Sequence, residues 1–209
     1  PTEDNIKCEC KDEKLSGTKI AVPDAAIATH AVVVCRGSAG IELRLVELNG
    51  QECKVQIQEN IDESRGYFSI NFMDIKSDLI GEAGNGWELL QTILNQAAVL
   101  FSFEQIGGSQ AALDMANNYA KERYAFGRAI GSYQAIKHKL ADMYISITLA
   151  KSNSYYGAWA LSTDSAELSV AAATARVSST EAFQFCSKEN IQTHGGNGFT
   201  WEYDCHLFY

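Results

Sequence analysis

No stretch of this sequence approaches the roughly 18 consecutive apolar residues that a membrane-crossing helix needs. Membrane insertion is therefore not expected. Basic residues are in deficit, with 17 Lys and Arg against 26 Asp and Glu and a formal net charge of −9 at pH 7. Such a balance offers nucleic acid no broad electrostatic footprint, and no nucleic-acid partner is expected. Histidines number only 4 and cysteines 6, the latter at positions 8, 10, 35, 53, 186 and 205. Cys8-Glu9-Cys10 is a lone C-x-C without a second pair or a nearby His, unlike the paired spacings of zinc sites, so no metal is expected. Cys35 follows a valine run and reads as a small buried hydrophobe. The cysteine usage fits a reducing compartment. The start of the chain also lacks the basic n-region and apolar h-region of a secretory leader. It opens on Pro1 rather than Met and stops at Tyr209 within an apolar stretch, so both ends read as cuts. The cytoplasm is the expected location, or the mitochondrial matrix in a eukaryote.

Proline is the scarcest punctuator, with 2 residues in 209, while 46% of the chain is hydrophobic. That is enough to bury a sizeable core and suits one or two domains. The chain divides into two regions of different period. Residues 1–79 read as β. Ile41 to Leu48 nearly alternates, as a half-buried strand does, and Asn49-Gly50 gives a tight-turn signal before Cys53 to Ile57. Ala31 to Cys35 and Tyr67 to Phe72 add further strands. Four or five strands of a small antiparallel sheet, sandwich or barrel are expected, a set incomplete for a closed barrel.

Residues 80–209 read as helix, after a boundary marked by Gly81, Gly84 and Gly86. From Trp87, apolar residues recur at Leu90, Leu94, Ala97 and Phe101, flanked by Ile93, Ala98 and Leu100, and continue toward Ala120. Gly107-Gly108 interrupts this helix at about 1 kcal/mol each, which a close helix crossing would offset. A second helix runs from about Ser132 to before Ser162, with Ile136, Leu140, Met143 and Ile147 on one face. A third starts near Asp164 and runs to about Asn190. The expected fold class is α+β: a partial antiparallel β domain, then an antiparallel four-helix-bundle-type domain, truncated, with its fourth helix missing or shortened.

Three clusters carry chemistry. Arg123-Tyr-Ala-Phe126-Gly127-Arg128 joins the first helix to the second. Its Arg123 can fork onto a phosphate or carboxylate, and Phe126 could cover a flat ring; a solvated helix-to-helix turn is the plainer reading. Gln134 lies in the first turn of the second helix, where free N–H groups favour anions. Gln192-Thr193-His194-Gly195-Gly196-Asn197-Gly198-Phe199 lets backbone pass close to a ligand, as a phosphate-cradling loop or simply as a tight turn. His194 could act as a base, but no orienting partner is evident, and a packed or exposed His is the simpler reading.

Taken in order, Arg-x-x-Phe-Gly, Ile-Gly-x-x-Gln-Ala-x-x-x-x-Leu-Ala-Asp-Met and Gln-x-x-Gly-Gly-x-Gly-Phe resemble the acyl-CoA dehydrogenase family. The similarity covers about residues 14–209 and is strongest over 104–203. Leu15 to Lys19 is similar to the family's middle-domain strand, and Leu79 to Trp87 to its entry into the helical domain. The resemblance implies a helical N-terminal domain, a middle β domain and a C-terminal four-helix bundle, of which this chain would hold half the second and most of the third. It also implies FAD at a subunit interface. Arg123 would reach the FAD pyrophosphate of the neighbouring subunit, with Phe126 and Gln134 near the same cofactor and Gln192, Thr193, His194, Gly195 and Gly196 lining the dinucleotide. A homodimer or tetramer follows, or a hetero-oligomer, with an acyl-CoA substrate and an electron-transfer flavoprotein-like acceptor. The implied reaction is α,β-dehydrogenation of an acyl-CoA thioester, with a glutamate taking the α-proton.

Some residues depart from the family pattern. The usual glutamate lies in a segment beyond Tyr209, and the alternative position for the base falls on Ala97, with Glu104 seven residues further along. Asn95 and Ala98 stand where the family holds the CoA part with Asp and Arg. Ala21-Val22-Pro23 replaces the Trp-Ile-Thr that flanks the flavin, and Pro23 has no N–H to offer. Two readings follow. One is a fragment of an active dehydrogenase, inactive by itself. The other is a non-catalytic or half-site subunit that completes a partner's FAD site.

Overall fold

A computed structural model describes residues 2–61 and 65–209; Pro1, read above as a cut start, lies outside them. The chain divides into two compact units, Pro1–Ile93 and Leu94–Tyr209. Among the described residues no helix is long and apolar enough to cross a membrane.

The first unit is built on a seven-stranded sheet: β1 Glu9–Lys11, β2 Lys14–Pro23, β3 His30–Gly37, β4 Gly40–Glu47, β5 Cys53–Gln58, β6 Tyr67–Lys76 and β7 Asp78–Ile80, in spatial order β5-β6-β2-β1-β3-β4-β7. Two more strands form than the upper expectation of five, because β1 and β7 are only three residues long and leave too short a pattern to read. The sheet is antiparallel except at β1–β3, where Glu9 and Arg36 form a parallel bridge. Asn49-Gly50 does turn the chain, with the Cys53 N–H donating to the Gly50 carbonyl, but it joins no paired strands. Instead β4 pairs with β3 and β7, and β5 with β6. The tight hairpins lie elsewhere. Asp12 and Glu13, with φ of 49° and 63°, link β1 to β2 in a type I′ geometry without any glycine.

Inward residues of the strands form the core of this unit: Leu15, Val33, Cys35, Val46, Ile70 and Phe72, with Cys8 and Cys10 among them. Burial pushes the Cys35 thiol up to about 12, which suits a packed hydrophobe and not a nucleophile. All six cysteines are free thiols.

The second unit is carried by three long helices: α1 Gly86–Glu122, whose first residues belong to the other unit, α2 Gln134–Ser162 and α3 Leu168–His194. Buried positions on α2 (Met143, Ile147, Ala150, Ser154, Gly157) recur every three or four residues, continuing the face begun by Ile136 and Leu140. Buried positions along α3 up to Ser187 are small, among them Ala171, Ala175, Ser179, Ala182 and Cys186, and only near its end are Asn190, Thr193 and His194 buried. Small side chains let neighbouring backbones approach, and a Cβ on Gly157 would stand 3.3 Å from both the Ala175 Cβ and the Val99 Cγ2.

Two helix limits differ from the periodic reading. A 3-10 turn over Ile130–Ser132 precedes α2. Asp164, at φ 53°, lies in the left-handed region, so α3 begins only at Leu168. The inward face of α1 also differs. Leu94, Leu100 and Phe101 are exposed in this unit, whereas Val99, Ser102, Ser109, Ala112 and Ala116 are buried. The early part of α1 carries apolar residues around most of its circumference, so periodicity alone does not say which stripe meets α2 and α3. The expected helix crossing is found at Gly108, where a Cβ would come within 2.6 Å of the Phe183 ring, and not at Gly107, which faces open space. After α3 the described chain forms short 3-10 turns, Gly195–Phe199 and Asp204–Phe208, and the Ser187 hydroxyl donates to the Phe208 carbonyl at 2.8 Å.

Candidate functional site

Helices α1 and α3 keep a constant register. The Ser179 hydroxyl donates to Gln105 Oε1 at 2.9 Å, Gly108 meets Phe183, Asn190 Nδ2 reaches Met115 Sδ at 3.4 Å, and Tyr119 stacks on His194 at 4.0 Å. Each pair is 74 or 75 residues apart (179 − 105 = 74; 194 − 119 = 75). Equal rise per residue then means that the two helices run parallel and end together. Helix α2 runs against both. Lys139 pairs with Glu189 and the Met143 carbonyl faces Cys186, while at the opposite end Tyr156 bonds Glu167. All three sequence clusters therefore gather at one end of the bundle: the last turn of α1, the first of α2 and the last of α3.

The segment after α1 is a small hairpin. Tyr124 pairs with Ala129 and Ala125 with Arg128, and the Ile130 N–H donates to the Arg123 carbonyl at 2.8 Å. At its tip Phe126 (φ 52°) and Gly127 (φ 81°) form a type I′ turn. A left-handed conformation costs a residue with a Cβ about 1–2 kcal/mol. The fastening of the hairpin offsets this, since the Tyr133 hydroxyl donates to the Ala125 carbonyl at 3.0 Å and the Arg128 guanidinium lies 3.9 Å above the Tyr133 ring. The result is a Phe126 side chain that is 97% exposed on a fixed support. Arg123 and Gln134 are exposed beside it in sequence, and no partner occupies their side chains in the described ion pairs.

Residues 192–196 divide into two sets. Gln192, Gly195 and Gly196 are exposed, and a Cβ added at either glycine would meet nothing within 4 Å. Thr193 and His194 point inward. The Thr193 hydroxyl donates to the Glu189 carbonyl at 2.7 Å, and His194 Nδ1 bonds the Asn190 carbonyl at 2.9 Å. His194 lies between Tyr119 and Tyr203, and burial pushes its pKa below the ordinary 6.5, partly opposed by the bond to Asn190. It is a packed, neutral imidazole. Gly195, at φ 61°, ends α3 in the left-handed region.

The residues that hold these clusters together escape sequence reading. Asn197 Nδ2 donates to the Tyr119 hydroxyl at 3.1 Å, and the Tyr119 ring meets Tyr203 edge-on at 5.6 Å. An aromatic one helical turn before Arg123 is the available signal, but its partners lie 75 or more residues away. Further back on α1, Asn95, Ala97 and Ala98 are half-buried and Glu104 is exposed. In the first unit, Ala21 lies in a bulge of β2, where its N–H donates to Gln58 Oε1 at 2.8 Å, while Val22 and Pro23 pair with Phe68 and Tyr67 of β6.

Residues 84–209 match the family model described as acyl-CoA dehydrogenase, C-terminal domain. This chain belongs to the acyl-CoA dehydrogenase family. Among its relatives, acyl-CoA dehydrogenase IpdE2 of Mycobacterium tuberculosis is 42% identical over 119 residues, 56% of this chain and 35% of that protein. The human mitochondrial short-chain specific acyl-CoA dehydrogenase is 30% identical over 198 residues, 90% of this chain and 48% of that protein. The solved acyl-CoA dehydrogenase from Geobacillus kaustophilus superposes with a TM-score of 0.93 over 100% of this chain and 60% of that one. At 22% identity, that likeness concerns the fold alone. The chain spans between 35% and 60% of the length of these family members.

Proposed function

We propose that this chain contributes to an FAD-dependent enzyme that dehydrogenates an acyl-CoA thioester between its α and β carbons. The observation that carries the reading is the gathering of Arg123, Phe126, Gln134 and the Gln192–Gly196 loop at one end of the helical unit. Their chemistry fits a dinucleotide. Arg123 offers a free, planar set of donors suited to a pyrophosphate. Gly195 and Gly196 leave open space where side chains would otherwise keep a ligand from the backbone. Phe126 presents a flat apolar face to a ring, and Gln134 adds an amide beside the free N–H groups that open α2. Thr193 and His194 serve the same site from beneath, by fixing the loop's departure from α3.

The chemistry that FAD supplies when bound is acceptance of a hydride from the acyl β-carbon. The residues of this chain bind and orient. By family resemblance the pyrophosphate reached by Arg123 belongs to a neighbouring subunit, so a dimer or larger assembly completes the site. An electron-transfer flavoprotein-like acceptor then takes the electrons. A half-site role is the second reading, favoured by Ala97, which has no group to take a proton, and by Asn95 and Ala98 at the CoA-holding positions.

The test is titration of FAD into flavin-stripped protein, in the chain length that the cell makes, followed by flavin fluorescence. Arg123→Ala removes charge-assisted hydrogen bonds worth about 1.5–3 kcal/mol, so FAD affinity falls by roughly 10-fold to 150-fold. Arg123→Lys recovers only part of that loss, because a point charge replaces the fork. Wild-type protein that takes up no FAD, alone or with a partner subunit, contradicts the proposal.

A further inference from the structure

Tyr119 belongs to no motif of the sequence, yet it is bonded to the Arg123 backbone and touches residues on both sides of the Gly195-Gly196 pair. Its backbone carbonyl accepts the Arg123 N–H at 2.8 Å, where α1 gives way to the hairpin. Its hydroxyl accepts a hydrogen bond from Asn197 Nδ2 at 3.1 Å, within the turn that follows Gly195-Gly196. Its ring lies on the buried His194 imidazole, with centroids 4.0 Å apart and planes at 28°, and meets Tyr203 edge-on. His194 is itself tied to the Asn190 carbonyl. One half-buried side chain on α1 thus fastens the end of α3 and both flanks of the glycine loop.

We infer that Tyr119 is a positioning residue for the dinucleotide site, setting the distance between the Arg123 end of α1 and the Gly195-Gly196 loop through Asn197. The inference rests on the FAD reading above and adds to it a residue and a mode of action. Gly195 and Gly196 have no side chains to hold them, and nothing packs where a Cβ would stand. Their backbone geometry therefore comes from neighbours: α3 behind them, and the Asn197–Tyr119 bond ahead. A flavin contact made through such backbone is only as well placed as that bond.

The experiment compares wild-type protein, Tyr119→Phe, Asn197→Ala and the double variant in the natural full-length chain, by FAD titration of flavin-stripped samples. Thermal unfolding of the same flavin-free samples is recorded in parallel. Tyr119→Phe keeps the ring stack on His194 and deletes only the hydroxyl. Each single variant is expected to bind FAD about 5-fold to 10-fold more weakly, as loss of one hydrogen bond predicts. The double variant should lose no more than either single one, since both remove the same contact. The unfolding midpoint of the flavin-free Tyr119→Phe sample should stay near wild type. Unchanged FAD affinity in Tyr119→Phe and Asn197→Ala, with a wild type that binds FAD, overturns the inference and leaves the FAD reading standing. Losses that add in the double variant, or that only track a lowered unfolding midpoint, overturn it as well. A wild type that binds no FAD instead identifies the underlying reading as the failure, and this inference falls with it.

Discussion

At the scale of single residues, burial decides what the charged and titratable groups can do. His194 is buried and its pKa is depressed, so the folded bundle holds it neutral. In the unfolded chain the same imidazole takes up a proton near its ordinary pKa of 6.5. Below that pH the unfolded state binds more protons, so stability falls as pH drops from 6.5 toward the lowered folded value, then levels off. The unfolding midpoint of the protein should decline over that window, and His194→Phe, which keeps an aromatic ring against Tyr119, should remove this part of the decline. A midpoint that responds to acid identically in both proteins contradicts the assignment. Glu42 gives a second case. It is 2% exposed and paired with Arg44, whose Nη2 lies 2.8 Å from Glu42 Oε2. Arg44→Met strands a buried carboxylate and should cost about 3–5 kcal/mol in urea unfolding, while adding Glu42→Gln should recover much of it.

Among the elements, what governs is how closely backbones approach. Gly107 and Gly108 are adjacent in α1 and equivalent in propensity, but only Gly108 faces Phe183. Gly107→Ala should raise stability by about 1 kcal/mol. Gly108→Ala should lack that gain or lower stability, since the Phe183 ring must move. Gly198 is less forgiving still, because a Cβ there would stand 2.6 Å from the Ile191 carbonyl oxygen, a backbone atom that cannot swing aside. Calorimetry on the three variants checks the order. The same contrast explains what was legible beforehand. Three helices were readable from their 3.6-residue period, and the glycine loop and Arg-x-x-Phe-Gly turn from local composition. The stripe of α1 that turns inward was not, because its early turns are apolar on several sides. Nor were β1 and β7, too short for any period to register. Tyr119 and Asn197 were invisible for a different reason. Their significance arises from the register of α1 on α3, and no local pattern encodes an offset of 75 residues.

At the scale of the whole molecule, family membership fixes the class of fold, and the bundle end supplies the chemistry proposed for it. A parallel α1 and α3 bring three separated motifs to one place, which accounts for their joint occurrence better than three unrelated turns would. What the chain itself presents at that end is a guanidinium, an amide, an exposed aromatic and bare backbone, the groups proposed above to anchor the dinucleotide. Ala97 carries no group that could take a proton. The most direct measurement is the visible absorbance of the FAD-loaded natural protein before and after anaerobic addition of a panel of acyl-CoA thioesters. Bleaching of the flavin band by one of them is the predicted result, and it names the substrate class. A flavin band that no acyl-CoA bleaches, even with a partner subunit present, would contradict the dehydrogenase reading.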